Sequence, residues 1–271
     1  MRCRRDDAGK RKGDALDILS ERKQVRRTGD VMVRPSAPWT PAVHALLRHL
    51  EAVGFDGAPR VVGTGLDASG RETLEFVPGD VQPQRIWSDE GIHDLGQLLR
   101  RLLEATISFQ SPPDAVWQES FLRSSGPDSI VSHGDVTPWN VVVRDGRPVA
   151  LIDWELAGPV DRLSEVAYTA WLNAQLHDDE IAEQQGLPPA EVRARQLRLF
   201  ADGYRLPARD RVDLVQRLID VAILSCASDV REAAISPDSI GAEWLVWGVA
   251  WRARSAAWLV RQRGLLERAV R

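Results

Sequence analysis

The pattern of apolar and polar positions changes character once along the chain. From Asp14 to Asp80 the apolar runs are short and strand-like: ALDIL, then KQVRR, a Thr28-Gly29-Asp30 turn, and VMVRP. Gly-Asp between two short runs predicts a hairpin. Pro35 ends the second strand because proline cannot donate a ladder hydrogen bond. Thr40 to Val53 predicts a helix, with Val43, Leu46, Leu47 and Leu50 at helical spacing. Thr40 is its expected cap, Pro41 suits its first turn and Gly54 stops it. Two further strand-like runs, Pro59 to Gly63 and Thr73 to Val77, flank the turn Asp67-Ala68-Ser69-Gly70.

Beyond Pro78-Gly79 the text is mostly helical. Asp89 to Ile107 carries Ile92, Leu95, Leu98, Leu99, Leu102 and Leu103 on one face. Leu163 to Leu176, Ala190 to Tyr204, Ala208 to Ala233 and Ala242 to Arg263 are the other predicted helices. Strands first and helices afterwards imply an α+β protein of two lobes. The expected division is a flexible N-terminal tail over 1–13, an N-terminal lobe over 14–80 and a helical C-terminal lobe over 81–271, joined near Phe76-Val77-Pro78-Gly79.

One short β island interrupts the helices: HGDVTPWNVVVRDGRPVALIDWE, residues 133–155. Val141 to Val143 and Val149 to Ile152 flank Asp145-Gly146, a strong two-residue hairpin signal. Counting pairs outward from that loop places Leu151 opposite Asn140, with Asp153 just beyond. Asn140 and Asp153 are then expected within roughly 5–8 Å. Asp135 enters the same strand, so three oxygen-bearing side chains converge at one hairpin end. Amide and carboxylate oxygens suit a hard cation such as Mg²⁺, and a carboxylate farther out could accept or orient a hydroxyl proton. Two neighbouring aspartates without a cation would be costly.

Composition sets limits around this reading. The net charge of −4 over 271 residues argues against a nucleic-acid binder, which carries a basic excess, and tolerates cationic small molecules. Two cysteines, Cys3 and Cys226, make neither a disulfide framework nor a zinc site. No apolar stretch is long enough to span a bilayer, and the charged N-terminus lacks a secretory core. The expectation is a cytoplasmic protein with no nucleic-acid or membrane partner.

His133-Gly134-Asp135-x4-Asn140 followed by Ile152-Asp153-Trp154-Glu155 resembles the aminoglycoside phosphotransferase and choline-kinase-like family. The resemblance implies a protein-kinase-like two-lobe fold, and Mg²⁺-dependent transfer of a γ-phosphoryl group from ATP or GTP to a small-molecule hydroxyl. The acceptor could be an antibiotic, giving a resistance function. It implies Asp135 as the catalytic aspartate, Asn140 and Asp153 as metal ligands, and His133 as a brace. After the metal-binding aspartate the family usually has an Asp before an apolar pair, where this chain has Glu165.

The nucleotide side departs further. Arg34 stands where the family carries a phosphate-pairing lysine, and the two are not equivalent. No acid stands at the helix position that would hold it; Glu51 is a turn or more away. The run Leu19-Ser20-Glu21-Arg22-Lys23 lacks the glycine a phosphate-covering loop normally has. Phe76 and Val77 match the segment whose backbone would hydrogen-bond adenine. On the substrate side, Trp244, Trp247, Trp251 and Trp258 share one helical face and read first as core, with an aromatic wall of the acceptor pocket as the alternative. Trp139 and Trp154 flank the metal residues, and His177-Asp178-Asp179-Glu180, with Glu183, reads first as solvated surface, with acids for a cationic acceptor as the alternative. The segment WTPAVHALLRHLEAVGFDGAPRVVG also resembles proteins described as trifolitoxin-immunity-like. That resemblance keeps a second reading open, a non-catalytic binding or immunity protein on the same fold.

Overall fold

The structure is a computed structural model and describes residues 17–20, 24–81, 86–127, 129–236 and 243–271. The expected tail over 1–13 and the Glu21–Lys23 part of the glycine-free loop lie outside the described residues. Two compact units divide the chain: residues up to Ala37 with Arg60–Phe76, and Pro38–Pro59 with Val77–Arg271.

The first unit is a five-stranded antiparallel sheet in the order β1-β2-β3-β5-β4, with β1 Asp17–Ser20, β2 Val25–Thr28, β3 Val31–Arg34, β4 Val61–Leu66 and β5 Glu72–Glu75. Thr28 pairs with Val31, so Gly29 and Asp30 are the turn of the predicted hairpin. In β3 and β5, Arg34 lies directly opposite Glu72.

The second unit opens with α1, Thr40–Ala52. Thr40 is not its cap: Trp39 holds that position without a side-chain hydrogen bond, and Thr40 is the first helical residue. The far end follows expectation. Gly54 takes φ +79° and donates to the Glu51 carbonyl, while Phe55 donates to Leu50, the paired bonds of a left-handed helix stop. The helices α2 Asp89–Thr106, α3 Arg162–Asn173, α5 Ala190–Tyr204, α6 Ala208–Glu232 and α7 Glu243–Arg261 lie within a few residues of their predicted spans. Ser88 caps α2 and Asp161 caps α3, each accepting a first-turn backbone N–H.

Two short helices escaped the periodicity, α4 Asp179–Gln184 and α8 Arg263–Val270, as did the pair β6 Ser129–Ser132 and β9 Gly158–Asp161. At four to eight residues each, they are too brief to display a period. Gly96 and Gly203 let α2 and α5 pack backbone to backbone. A Cβ on Gly96 would stand 2.2 Å from the Phe200 carbonyl oxygen, and one on Gly203 1.9 Å from that of His93. Among the described residues no helix is long and apolar enough to cross a membrane.

Candidate active site

The predicted hairpin is β7 Val141–Arg144 and β8 Arg147–Leu151. Asp145 and Gly146 both take positive φ, +51° and +76°, as a two-residue turn matched to strand twist requires. The register differs from the count by one residue. Val143 faces Pro148 but Val142 faces Ala150, so Val149 is the extra residue of a bulge, beside a proline that cannot donate. Val141 therefore faces Leu151, and Asn140 accepts the Ile152 N–H at 2.9 Å. The slip brings Asp153 one position closer to Asn140 than ideal pairing would.

Asn140 is buried and its amide Nδ2 donates to the carboxylate of Asp135 at 2.8 Å and to its carbonyl at 3.0 Å. Asp153 adopts a left-handed conformation, φ +63° and ψ +64°, at the head of a short 3-10 turn over Trp154–Leu156. Such backbone costs a non-glycine residue roughly 1–2 kcal/mol, and here it reverses the chain directly after the strand. Trp154 is fully buried and donates to the Leu151 carbonyl, so it wedges the turn, whereas Trp139 is 41% exposed.

Side chains hold the loop from His133 to Thr137 by its backbone. His133 Nε2 faces the Ile152 carbonyl at 2.9 Å; a carbonyl only accepts, so Nε2 carries the proton and Nδ1 accepts the Asp135 N–H at 3.2 Å. Full burial pushes the imidazole down to about 4, against which the Ile152 contact and the Asp153 charge act weakly. His133 is thus a neutral brace tying Asp135 to the residue before Asp153. Asn173, also buried, donates to the Val136 carbonyl at 2.8 Å and accepts the Trp87 indole N–H at 3.2 Å.

Glu165 is a residue whose task sequence reasoning did not find, although its departure from the family pattern was visible. One carboxylate oxygen accepts the Ser132 hydroxyl at 2.9 Å and the Gly134 N–H at 3.0 Å, while the other is buried without a hydrogen-bond partner. Burial raises its pKa above the usual carboxylate range, and the Arg123 charge opposes that. Arg123 donates to the carbonyls of Gln118, Leu156 and Ala157, and burial lowers it to about 10. Gly134 sits between them at φ +75°, where a Cβ would stand 2.2 Å from the Leu156 oxygen.

Asp135 also receives the Tyr168 hydroxyl at 3.4 Å and opens on a cavity of about 190 Å³. Glu119, Asp229 and Glu232 share that cavity's lining with a single arginine, Arg252. Burial pushes the Asp229 carboxyl up, Arg252 pulls it down and Glu232 adds to the rise. Asp178 to Glu180, read as solvated surface or as acids for a cationic acceptor, are instead paired with arginines. Asp178 binds Arg254 and Arg261, Asp179 binds Arg193 and the Trp258 indole, and Glu180 binds Arg254. They knit α4 to α5 and α7.

In the first unit Arg34 is buried and forms an ion pair with Glu72, which is also buried. An acid directly across the sheet does what was sought on the helix, and register, not sequence distance, puts it there. Phe76 ends that unit; its N–H donates to Asp30 and its ring lies 3.8 Å under the Arg27 guanidinium. Val77 begins the second unit.

Comparison with known proteins bears on the family and the fold. The chain is 48% identical over 250 residues to the trifolitoxin immunity protein of Rhizobium leguminosarum bv. trifolii, covering 92% of this chain and 95% of that one. Among solved structures it is similar to an amicoumacin kinase in complex with AMP-PNP, Ca²⁺ and Ami, with TM-score 0.66, 14% identity and coverage of 89% and 88%. It is also similar to a microcompartment-associated aminopropanol kinase, with TM-score 0.65, 15% identity and coverage of 95% and 94%. At such identities the likeness establishes the kinase-like two-lobe α+β fold. The model of the phosphotransferase enzyme family matches residues 74–214, more than half of the sequence and the whole of the hairpin site, and the chain belongs to that family.

Proposed function

We propose that this protein transfers the γ-phosphoryl group of ATP or GTP to a hydroxyl of a small cationic acceptor. The observation that carries the reading is Asp135: its backbone is clamped on both sides, and its carboxylate borders a cavity with three further acids and one arginine. Asp135 orients the acceptor hydroxyl and takes its proton as the oxygen bonds to the γ-phosphorus. The bond from that phosphorus to the bridging oxygen breaks, and the nucleoside diphosphate leaves. Glu119, Asp229 and Glu232 draw an ammonium-bearing acceptor to this place.

The donor set fits a divalent cation. With Nδ2 of Asn140 turned to Asp135, its Oδ1 is the opposite end of the amide. Asn140 and Asp153 would hold Mg²⁺, which commonly takes one or two carboxylates and completes its shell with phosphate and water. When bound, the ion neutralises phosphate charge. Arg34 is our candidate for phosphate contact and the backbone of Phe76 and Val77 for the purine. The Phe76 N–H is already used, which leaves its carbonyl and the Val77 N–H.

A second reading, an immunity protein that binds a toxin without chemistry, is favoured by the name of the 48% identical relative. A thermal-shift titration separates them. Millimolar Mg-ATP or Mg-GTP should raise the unfolding temperature by mass action. No shift with either nucleotide overturns the phosphotransferase reading in favour of the binding protein.

A further inference from the structure

Beside the acidic cavity lies a second compartment of about 300 Å³, and the two share Trp139 and Arg252 as walls. Its character is different. Trp247 and Trp251, one turn apart on α7, face it together with Trp139, Leu172 and His177. The tryptophan stripe on α7 therefore divides. Trp258 is fully buried, while Trp247 stays 45% exposed and Trp139, which also lines the Asp135 cavity, 41% exposed.

The far wall is rigid. Trp251 stacks on the buried Trp171 at 5.5 Å and 27° and meets the His177 ring at 4.8 Å. Burial pushes His177 down to about 3, so it adds a neutral aromatic surface and no charge. Arg252 stands between the compartments, fixed by Asp229 at 2.8 Å and by the Ser225 hydroxyl at 2.9 Å. The acidic cavity alone is smaller than the roughly 300–1,000 Å³ typical of ligand sites. With its neighbour included, the pocket reaches that range.

We propose that the aromatic compartment is a second acceptor subsite, taking a flat aromatic or heteroaromatic group on the molecule whose hydroxyl and cationic centre occupy the acidic cavity. The proposal rests on the phosphotransferase reading for the name "acceptor", but its binding claim does not need turnover. An indole face lends dispersion and a negative quadrupole to a flat or cationic group, and walls braced from behind hold their shape before the ligand arrives.

The test compares three probes on the nucleotide-free protein by calorimetry: a naphthyloxy-substituted amino alcohol, the same molecule without its aryl group (aminopropanol), and the same molecule without its amine (naphthyloxy-propanediol). The aryl amino alcohol should bind at least about tenfold more tightly than either. Trp251→Ala should remove the advantage over aminopropanol. Because Trp251 packs on Trp171, Trp247→Ala, at an exposed position, makes the same test with little risk to folding. Equal binding of the aryl amino alcohol and aminopropanol overturns the subsite, as does an advantage that survives both substitutions. Product formation with Mg-ATP is measured separately. Aryl preference with no thermal shift by Mg-ATP or Mg-GTP upholds the subsite and defeats the phosphotransferase reading; product from aminopropanol with no aryl preference does the reverse.

Discussion

Two segments of this chain begin alike, on a buried neutral histidine followed by acids: His133-Gly134-Asp135 and His177-Asp178-Asp179-Glu180. Their surroundings differ. Asp135 receives the amide of Asn140 and the hydroxyl of Tyr168, and its carboxylate borders a cavity. Asp178 and Asp179 are gripped by Arg254, Arg261 and Arg193, and burial, which raises Asp178, is outweighed by the arginine bonds that hold it low. The first arrangement presents its carboxylate to a cavity, where the proposed function would use it, while the second exchanges its charge for packing between helices. Counting acids in the sequence cannot separate the two, because the difference lies in the partners.

The comparison makes its largest prediction at Asp135. Asp135→Asn should lower kcat by about 10²–10⁴-fold, with nucleotide affinity and unfolding temperature close to wild type. A parallel fall in nucleotide affinity would break the assignment.

The two histidines give the next effect. Both are held far below 6.5, so the folded protein keeps them neutral while the unfolded chain takes up protons below that pH. Their contribution is complete above pH 6.5 and is lost as the pH falls toward 4 for His133 and toward 3 for His177. At pH 5 each should have cost roughly 2 kcal/mol relative to pH 7. Glu165, raised from 4.5, works in the opposite sense above that pH and softens the slope. Urea unfolding at pH 7 and pH 5 measures the sum, and His133→Gln should flatten it.

The smallest effect belongs to the second segment. Asp178→Asn leaves two arginines short of a carboxylate in a partly exposed network, worth about 1–2 kcal/mol by denaturant midpoint. Phosphoryl transfer should be unchanged. A loss of transfer without a loss of stability would return the acidic run to the substrate side.

Much of the fold was legible in the chain. The long helices show their period over roughly three to seven turns, and Asp145-Gly146 announces its turn because few dipeptides accept two positive φ values. The convergence of Asp135 and Asn140 followed from the same hairpin. The short elements α4, α8, β6 and β9 were not legible, since fewer than nine residues carry too little periodicity to rise above composition. Thr40 failed as a cap for a related reason, as helix boundaries move by a residue with the geometry of the preceding turn.

The sequence by itself brought Asp135, Asn140 and Asp153 toward one hairpin end, because a tight turn returns the chain on itself; the bulge at Val149 then moved the register by one residue. Tertiary structure decided the rest. It placed Glu72 opposite Arg34, set Glu165 under Gly134, removed Asp178 to Glu180 into arginine pairs and surrounded Asp135 with Glu119, Asp229 and Glu232. Those partners lie between 14 and 97 positions away, and at such separations only the packing of whole elements determines which charge meets which.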